Sequence, residues 1–192
     1  MTGYMNKAEL EAVGFSSFGS NVFVSRLASI YGAERINLGS NVRIDDFCVF
    51  SAGHGGISIG NYVHIAVFSS LIGRGRISID DFSNVSSRVS IYSSSDDFHG
   101  NWMTNPMVPP EYTGVTHADV IIRRHCIIGC GSVILPGTTL DEGVAIGALS
   151  LVTHDCVAYG IYAGTPAVRR AARSTHFLEV EQCFHKGIKP TA

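Results

Sequence analysis

Residues 36–71, INLGSNVRIDDFCVFSAGHGGISIGNYVHIAVFSSL, set an aliphatic or Phe residue at every sixth position within two groups of three: Leu38, Ile44, Phe50 and then Ile59, Ile65, Leu71. The beat extends in both directions. Phe18, Val24 and Ile30 precede it, and Ile79, Val85, Ile91, then Ile122, Ile128, Ile134, then Leu140, Ile146, Val152 follow. An amphipathic helix needs apolar recurrence near 3.6 residues and a half-buried strand needs strict alternation. A six-residue beat in threes instead describes flat sides stacked into a triangular solenoid, about six coils deep, in which every coil buries its column of aliphatic side chains on its neighbours. After the aliphatic residue come tetrads such as LGSN, IDDF, IGNY and IGCG, rich in residues that tolerate corner backbone geometry.

An open stack needs its ends covered, because a terminal coil exposes unpaired strand edges and an apolar cross-section. Asn6 to Val13 reads as a short capping helix with Asn6 as N-cap and Gly14 as its stop. At the other end the segment from Arg169 is expected to close the stack. Its Phe177, Val180 and Phe184 lie at helical spacing, with Glu179, Glu181 and Lys186 turned to water. The expected organisation is a cap and lead-in over residues 1–17, a solenoid over 18–160, and a turn with a helical tail over 161–192.

Small insertions at Gly53–Gly56 and Gly73–Arg76 belong to corners. The large one, residues 96–119, holds the only Trp and three of the six prolines and carries no hexad. Long structureless loops inside compact domains are usually functional. The density of Trp102, Met103, Met107 and Tyr112 suggests that this one covers a neighbouring subunit.

Charged residues make up 16% of the chain and the net charge is −2, which lacks the basic footprint of a nucleic-acid or membrane-surface binder. No signal peptide or membrane span is evident, so a cytoplasmic protein is expected. The five cysteines are odd in number and lack C-x-x-C spacing, so neither disulfides nor a metal site is expected. Cys48, Cys126 and Cys156 occupy a place in the hexad that takes a small inward side chain. His125 and His154 fall at corners and, with His54, His117, His176 and His185, are read as solvated.

The hexads, the single long loop, the run GCGSVILPGTTLDEGVAIGALSLVTHD at 129–155 and IYAGTPAVRR at 161–170 together resemble the left-handed β-helix, hexapeptide-repeat acyltransferases. Within that family NVRIDDFCVFSAG, NYVHIAVFSSL, SSRVSIYSSSDDF, MTNP and GALSLV are most similar to enzymes that N-acetylate dTDP-4-amino-4,6-dideoxyglucose, a nucleotide-linked sugar destined for O-antigen. The resemblance implies an all-β left-handed parallel β-helix, assembled as a homotrimer with acetyl-coenzyme A lying along the coils between subunits. Carried over by position, Gly129, Gly147 and Ala148 would line the pantetheine arm. Ala163, Gly164, Thr165 and Pro166 would form the adenine-side turn, and Arg169 and Arg170 would pair with coenzyme A phosphates. A backbone N–H near Gly129 or Gly147 is the expected oxyanion donor.

The acceptor side departs from one branch of the family. In its sugar O-acetyltransferases a His at the start of the large insert deprotonates a hydroxyl, and here that place is Asp96. An amine requires less activation than a hydroxyl, so the missing His and the amino-sugar resemblance agree. His64, Asp96 and Asp97 are the candidates for holding the amine or taking its proton. Asn84, stacked above His64, together with Tyr92 and Ser94 before the loop, are candidates for contacting sugar. The alternatives are an O-acetyltransferase of the same fold acting on a saccharide or antibiotic hydroxyl, and a non-catalytic trimeric binding or scaffold protein. A zinc-dependent carbonic anhydrase of this architecture is set aside, because His64 has no partner histidines in register.

Overall fold

A computed structural model describes residues 3–190. Its chain winds through three sheets, parallel save for one final strand, with one sheet on each side of a triangular prism. The first side runs from Ser17–Phe18 to Thr139–Leu140 in six strands, and the third from Ser29–Tyr31 to Leu151–Val152, also in six. The second begins at Phe23–Val24 and has eight strands, ending in Gly160–Ala163 and Val168–Ala172. The coil-to-coil register follows the six-residue beat: Ile59 pairs Ile79, Ile65 pairs Val85, and Leu71 pairs Ile91. From Leu38 to Val152 every residue of the beat is buried, most of them completely. Six full coils are followed by part of a seventh, which Cys156 begins by bridging to Leu140. Burial pushes the thiols of Cys48 and Cys156 up to about 11 and that of Cys126 up to about 12, as expected of small hydrophobes in the core.

The corners differ from the sequence expectation. The left-handed backbone position is the fourth residue of each tetrad rather than the Gly, Asp or Asn after the aliphatic, and it is often a bulky ring: Phe47, Tyr62, Phe68, Phe82 and His125 all have φ between 56° and 61°. Such conformations cost non-glycine residues roughly 1–2 kcal/mol. Stacking along the corner offsets that cost, with Phe47 on Phe68 at 5.0 Å, Tyr62 on Phe82 at 4.9 Å and Phe82 on His125 at 5.1 Å between centroids. The glycines that directly follow the aliphatic residue answer a different constraint. A Cβ on Gly39 would stand 2.5 Å from the Gly60 carbonyl oxygen of the next coil.

The N-terminal cap forms as its sequence predicts. Helix α1, Lys7–Val13, starts in a capping box between Asn6 and Glu9 and ends at Gly14 in the left-handed region. Leu10 is buried against the first coil, and Arg26 clamps the helix through two bonds to the Glu9 carboxylate, at 2.8 and 2.7 Å. At the other end the closure differs from expectation. Strand Val168–Ala172 folds back antiparallel on Gly160–Ala163 and finishes the second sheet.

Helix α2, His176–Lys186, lies along the flank of the prism on the ring column, with Phe184 edge-on to Tyr62 and Phe177 against His125. Glu181 does not face water. It bonds Arg124, His125 and His185 with its side chain only 13% exposed, and these bonds outweigh burial to hold its carboxyl below the usual range. The His125 side chain is correspondingly covered rather than solvated, at 9% exposure.

The glycine constraint gives a direct test. Gly39→Ala is expected to destabilise the protein by about 1–3 kcal/mol in urea unfolding, because overpacking against backbone finds no flexible neighbour to yield. Gly3→Ala, whose new methyl would meet nothing within 4 Å, should stay within about 0.5 kcal/mol of the parent.

Candidate active site

The outward positions of the second side form a column that changes character down the stack. Register places Arg43, His64 and Asn84 over one another, followed by Ile127, Ala145 and Ile161. The polar half carries a connected network. His64 Nε2 lies 2.8 Å from Asp45 Oδ2, and His64 Nδ1 lies 3.1 Å from Asn84 Oδ1. The other oxygen of Asp45 accepts from Arg43 Nε at 2.6 Å and from Tyr4 Oη at 3.0 Å. Asp45 is buried while the His64 side chain is 39% exposed, so the imidazole sits on a buried carboxylate with one face open. Burial works against ionisation of Asp45, but bonds from His64, Arg43 and Tyr4 outweigh it and hold the carboxyl below its ordinary range. His64 is therefore an oriented group rather than a loose surface side chain.

The bonding pattern constrains its protons. With Nε2–H given to Asp45, a neutral ring turns its Nδ1 lone pair to Asn84, which must then present its NH2. With the amide oxygen toward Nδ1, the ring donates on both sides as an imidazolium. Either way, Asn84 reports the protonation state of His64.

Asp96 and Asp97 leave the solenoid at the far corner, past the third-side strand Ser90–Tyr92, so one chain does not bring them to His64. Their roles separate. Asp97 accepts from the backbone N–H groups of His99, Asn101 and Trp102 at 2.8, 2.6 and 2.8 Å, which lower its carboxyl pKa and make it the organiser of the loop's first turn. Asp96 is exposed and lines a cavity of about 640 Å³ between the loop and the third side. Ser94 lines it too, pairing antiparallel with His117 at the loop base; its Oγ accepts from Arg74 N and meets His117 Nδ1, both at 2.8 Å. Tyr92 ends the strand before, opposite Ile72. Trp102, Met103, Met107 and Tyr112 are all more than half exposed.

The residues expected to line coenzyme A include Gly129, Gly147 and Ala163, which stack at the corner after the second side. A Cβ on Gly129 would stand 2.5 Å from Ala148 N, so coil stacking alone already requires that glycine. The N–H groups expected to meet an oxyanion are engaged: Gly129 donates to Ile146 O at 2.8 Å and Gly147 to Tyr162 O at 2.7 Å. The next N–H groups along the turns, those of Cys130 and Ala148, have no acceptor among the described residues. Thr165 and Pro166 continue the third side below Leu149 and Leu151. Arg169 and Arg170 are exposed on the last strand, with Arg170 Nε 3.3 Å from Ala163 O.

Sequence reasoning missed Arg43, Asp45 and Tyr4. The repeat itself could have found the first two, since Arg43 occupies the His64 column one coil earlier and Asp45 is the first corner residue beyond it. Tyr4 lies outside the repeat and gives no such signal.

No family model matches the chain. The fold is that of a hexapeptide-repeat acetyltransferase from Vibrio cholerae solved with acetyl-coenzyme A, at TM-score 0.64 and 17% identity over 88% of this chain and 79% of that one. A dTDP-4-amino-4,6-dideoxy-D-glucose acyltransferase of Escherichia coli is 53% identical over 189 residues, spanning 98% of this chain and 96% of its own length. A substituted form of AntD, an N-acyltransferase from Bacillus cereus solved with dTDP-4-amino-4,6-dideoxyglucose and coenzyme A, superposes at TM-score 0.93 with 40% identity over 98% of this chain and 100% of that one. The chain belongs to the hexapeptide-repeat β-helix acyltransferases, in the dTDP-4-amino-4,6-dideoxyglucose acyltransferase family. Among the described residues no helix is long and apolar enough to cross a membrane.

Asp45 supplies a pH test. Because its folded-state pKa is depressed, its stabilisation is full above the unfolded value near about 4 and is lost as pH falls through the folded value. Asp45→Asn should cost about 1.5–3 kcal/mol at pH 7, and the gap to the parent should close on titration toward pH 3. A gap that persists undiminished in acid would show that an ionised Asp45 is not what the network stabilises.

Proposed function

We propose that the protein transfers an acetyl group from acetyl-coenzyme A to the 4-amino group of dTDP-4-amino-4,6-dideoxyglucose, in the cytoplasm, for O-antigen or related polysaccharide synthesis. The observation that carries the amine reading is Asp96: a carboxylate lines the loop cavity where hydroxyl acetylation would want a His. A carboxylate suits an entering ammonium, and once the amine is neutral the enzyme has mainly to position it on the thioester.

In this reading the amine nitrogen bonds to the acetyl carbon, and the backbone N–H of Cys130 or Ala148 meets the oxyanion. The nitrogen gives its proton to His64 at Nδ1 as Asn84 turns aside, while Asp45 holds the ring through Nε2. The C–S bond then breaks and the coenzyme leaves, its thiolate taking up that proton. Gly129, Gly147 and Ala148 provide the low wall for the pantetheine arm, Ala163, Thr165 and Pro166 the adenine-side turn, and Arg169 and Arg170 the phosphate contacts. Tyr92 and Asn84 face the sugar.

His64 and Asp96 lie on different sides of one prism, so the working site is formed by His64 of one copy and Asp96 of the next within a homotrimer. The exposed Trp102, Met103, Met107 and Tyr112 supply the apolar surface for that contact.

A coenzyme A release assay should show turnover with dTDP-4-amino-4,6-dideoxyglucose and little with the 4-hydroxy analogue. Equal turnover of both would overturn the amine reading. His64→Ala should lower kcat about 100-fold. The shared site has its own test: co-expressed His64→Ala and Asp96→Ala copies assembled at random should rebuild about one quarter of the sites. No recovery in the mixed trimers would place both residues in a single-chain site.

A further inference from the structure

His64 is held by a carboxylate that is itself held from outside the solenoid. Asp45 presents Oδ2 to His64 Nε2 at 2.8 Å, and rotation about its Cβ–Cγ bond, a soft torsion in an unrestrained side chain, would carry that oxygen away from the ring. Two donors on Oδ1 oppose the rotation, Arg43 Nε at 2.6 Å and Tyr4 Oη at 3.0 Å. They are not equivalent. Arg43 lies two residues from Asp45 on the same coil and reaches it with a flexible side chain that is 55% exposed. Tyr4 arrives from the lead-in with a rigid ring, edge-on to Phe23 at 5.7 Å between centroids and with the Arg43 guanidinium 5.6 Å from its centre.

The lead-in is tied to the first coil on both sides of that ring. Arg26 N donates to Gly3 O at 3.0 Å and Met5 N to Val24 O at 2.8 Å, while Tyr4 itself bridges Ser25 antiparallel. Helix α1 follows directly, clamped to the same coil through Arg26 and Glu9. Burial and the Asp45 carboxylate both raise the phenol above its ordinary range, so near pH 7 the hydroxyl stays a donor. Leu10 already covers the first coil, whereas the Tyr4 hydroxyl reaches past it to a residue of the second. Building on the role proposed for His64, we infer that Tyr4 is a positioning residue for the transfer. Its hydroxyl locks the Asp45 carboxylate in the rotation that offers Oδ2 to His64 Nε2, which keeps Nδ1 directed at the acceptor nitrogen. The N-terminal cap thereby belongs to the active site as well as to the fold.

Tyr4→Phe removes the hydroxyl and keeps the ring. In the full-length protein it should lower kcat for dTDP-4-amino-4,6-dideoxyglucose about three- to tenfold, the worth of one hydrogen bond. KM for the sugar and calorimetric affinity for coenzyme A should match the parent, the latter also showing that the variant is folded. In a His64→Ala background the same substitution should cost nothing further, because a group that acts through the imidazole then has nothing left to position. Parent-like kcat in Tyr4→Phe, or an equal loss with and without His64, would overturn the inference and leave the proposed reaction standing. A His64→Ala protein that turns over like the parent would overturn the proton-accepting role of His64 and this inference together.

Discussion

Everything in this molecule depends on the spacing between coils. Parallel strands pair at about 4.8 Å, so each turn of the solenoid must come that close to the next at its corners as well as along its sides. Side chains at the corners therefore either vanish or stack. Gly39 and Gly129 vanish, because the next coil's backbone occupies the space a Cβ would need. Phe47, Tyr62, Phe68 and Phe82 stack, and the dispersion gained in those columns sustains left-handed backbone at residues that otherwise avoid it. Buried serines complete the corners: Ser69, Ser83 and Ser132 donate their hydroxyls to neighbouring carbonyls, and among the described residues no buried side-chain polar atom lacks a partner.

The same spacing gathers chemistry. Residues about twenty positions apart become neighbours at strand distance, so Arg43, His64 and Asn84 need no loop to converge. Precision follows from the ladder: Ile44, Ile65 and Val85 beside them are fully buried, which fixes the backbone beneath each functional side chain. Ile127, Ala145 and Ile161 continue the column as an apolar face, so one continuous surface passes from polar to apolar.

The sequence was most legible where repetition made it redundant. Eighteen positions of one beat outvote any single exception, and the register that put Asn84 over His64 holds in the structure. It was least legible where the chain leaves the repeat. Tyr4 reaches Asp45 from a lead-in with no periodicity, and Glu181 turns inward because Arg124 and His125 await it, a partnership spanning more than fifty residues that helical spacing cannot reveal. The corner rings were misjudged for another reason. Local propensity favours Gly, Asn or Asp in left-handed backbone, but propensity ignores the ring one coil away that makes an aromatic residue stable there.

The division of labour between ladder and loop separates the large insertion from the scaffold. A loop inserted at one corner, with its base zipped by Ser94–Ser95 and Thr116–His117, adds charges without interrupting the sheets that continue from Ser90–Tyr92 directly to Val133–Ile134. On the proposed function, exchanging a carboxylate for an imidazole at position 96 therefore changes what the loop offers an acceptor without altering the stacked coils. The His64–Asn84 pair lacks that freedom, since both residues belong to the ladder and each ring nitrogen is already bonded. On the proposed function, proton transfer at His64 is accompanied by reorientation of the Asn84 amide. In that reading one reorientable amide on the ladder couples acceptor binding to base release without needing the backbone to move.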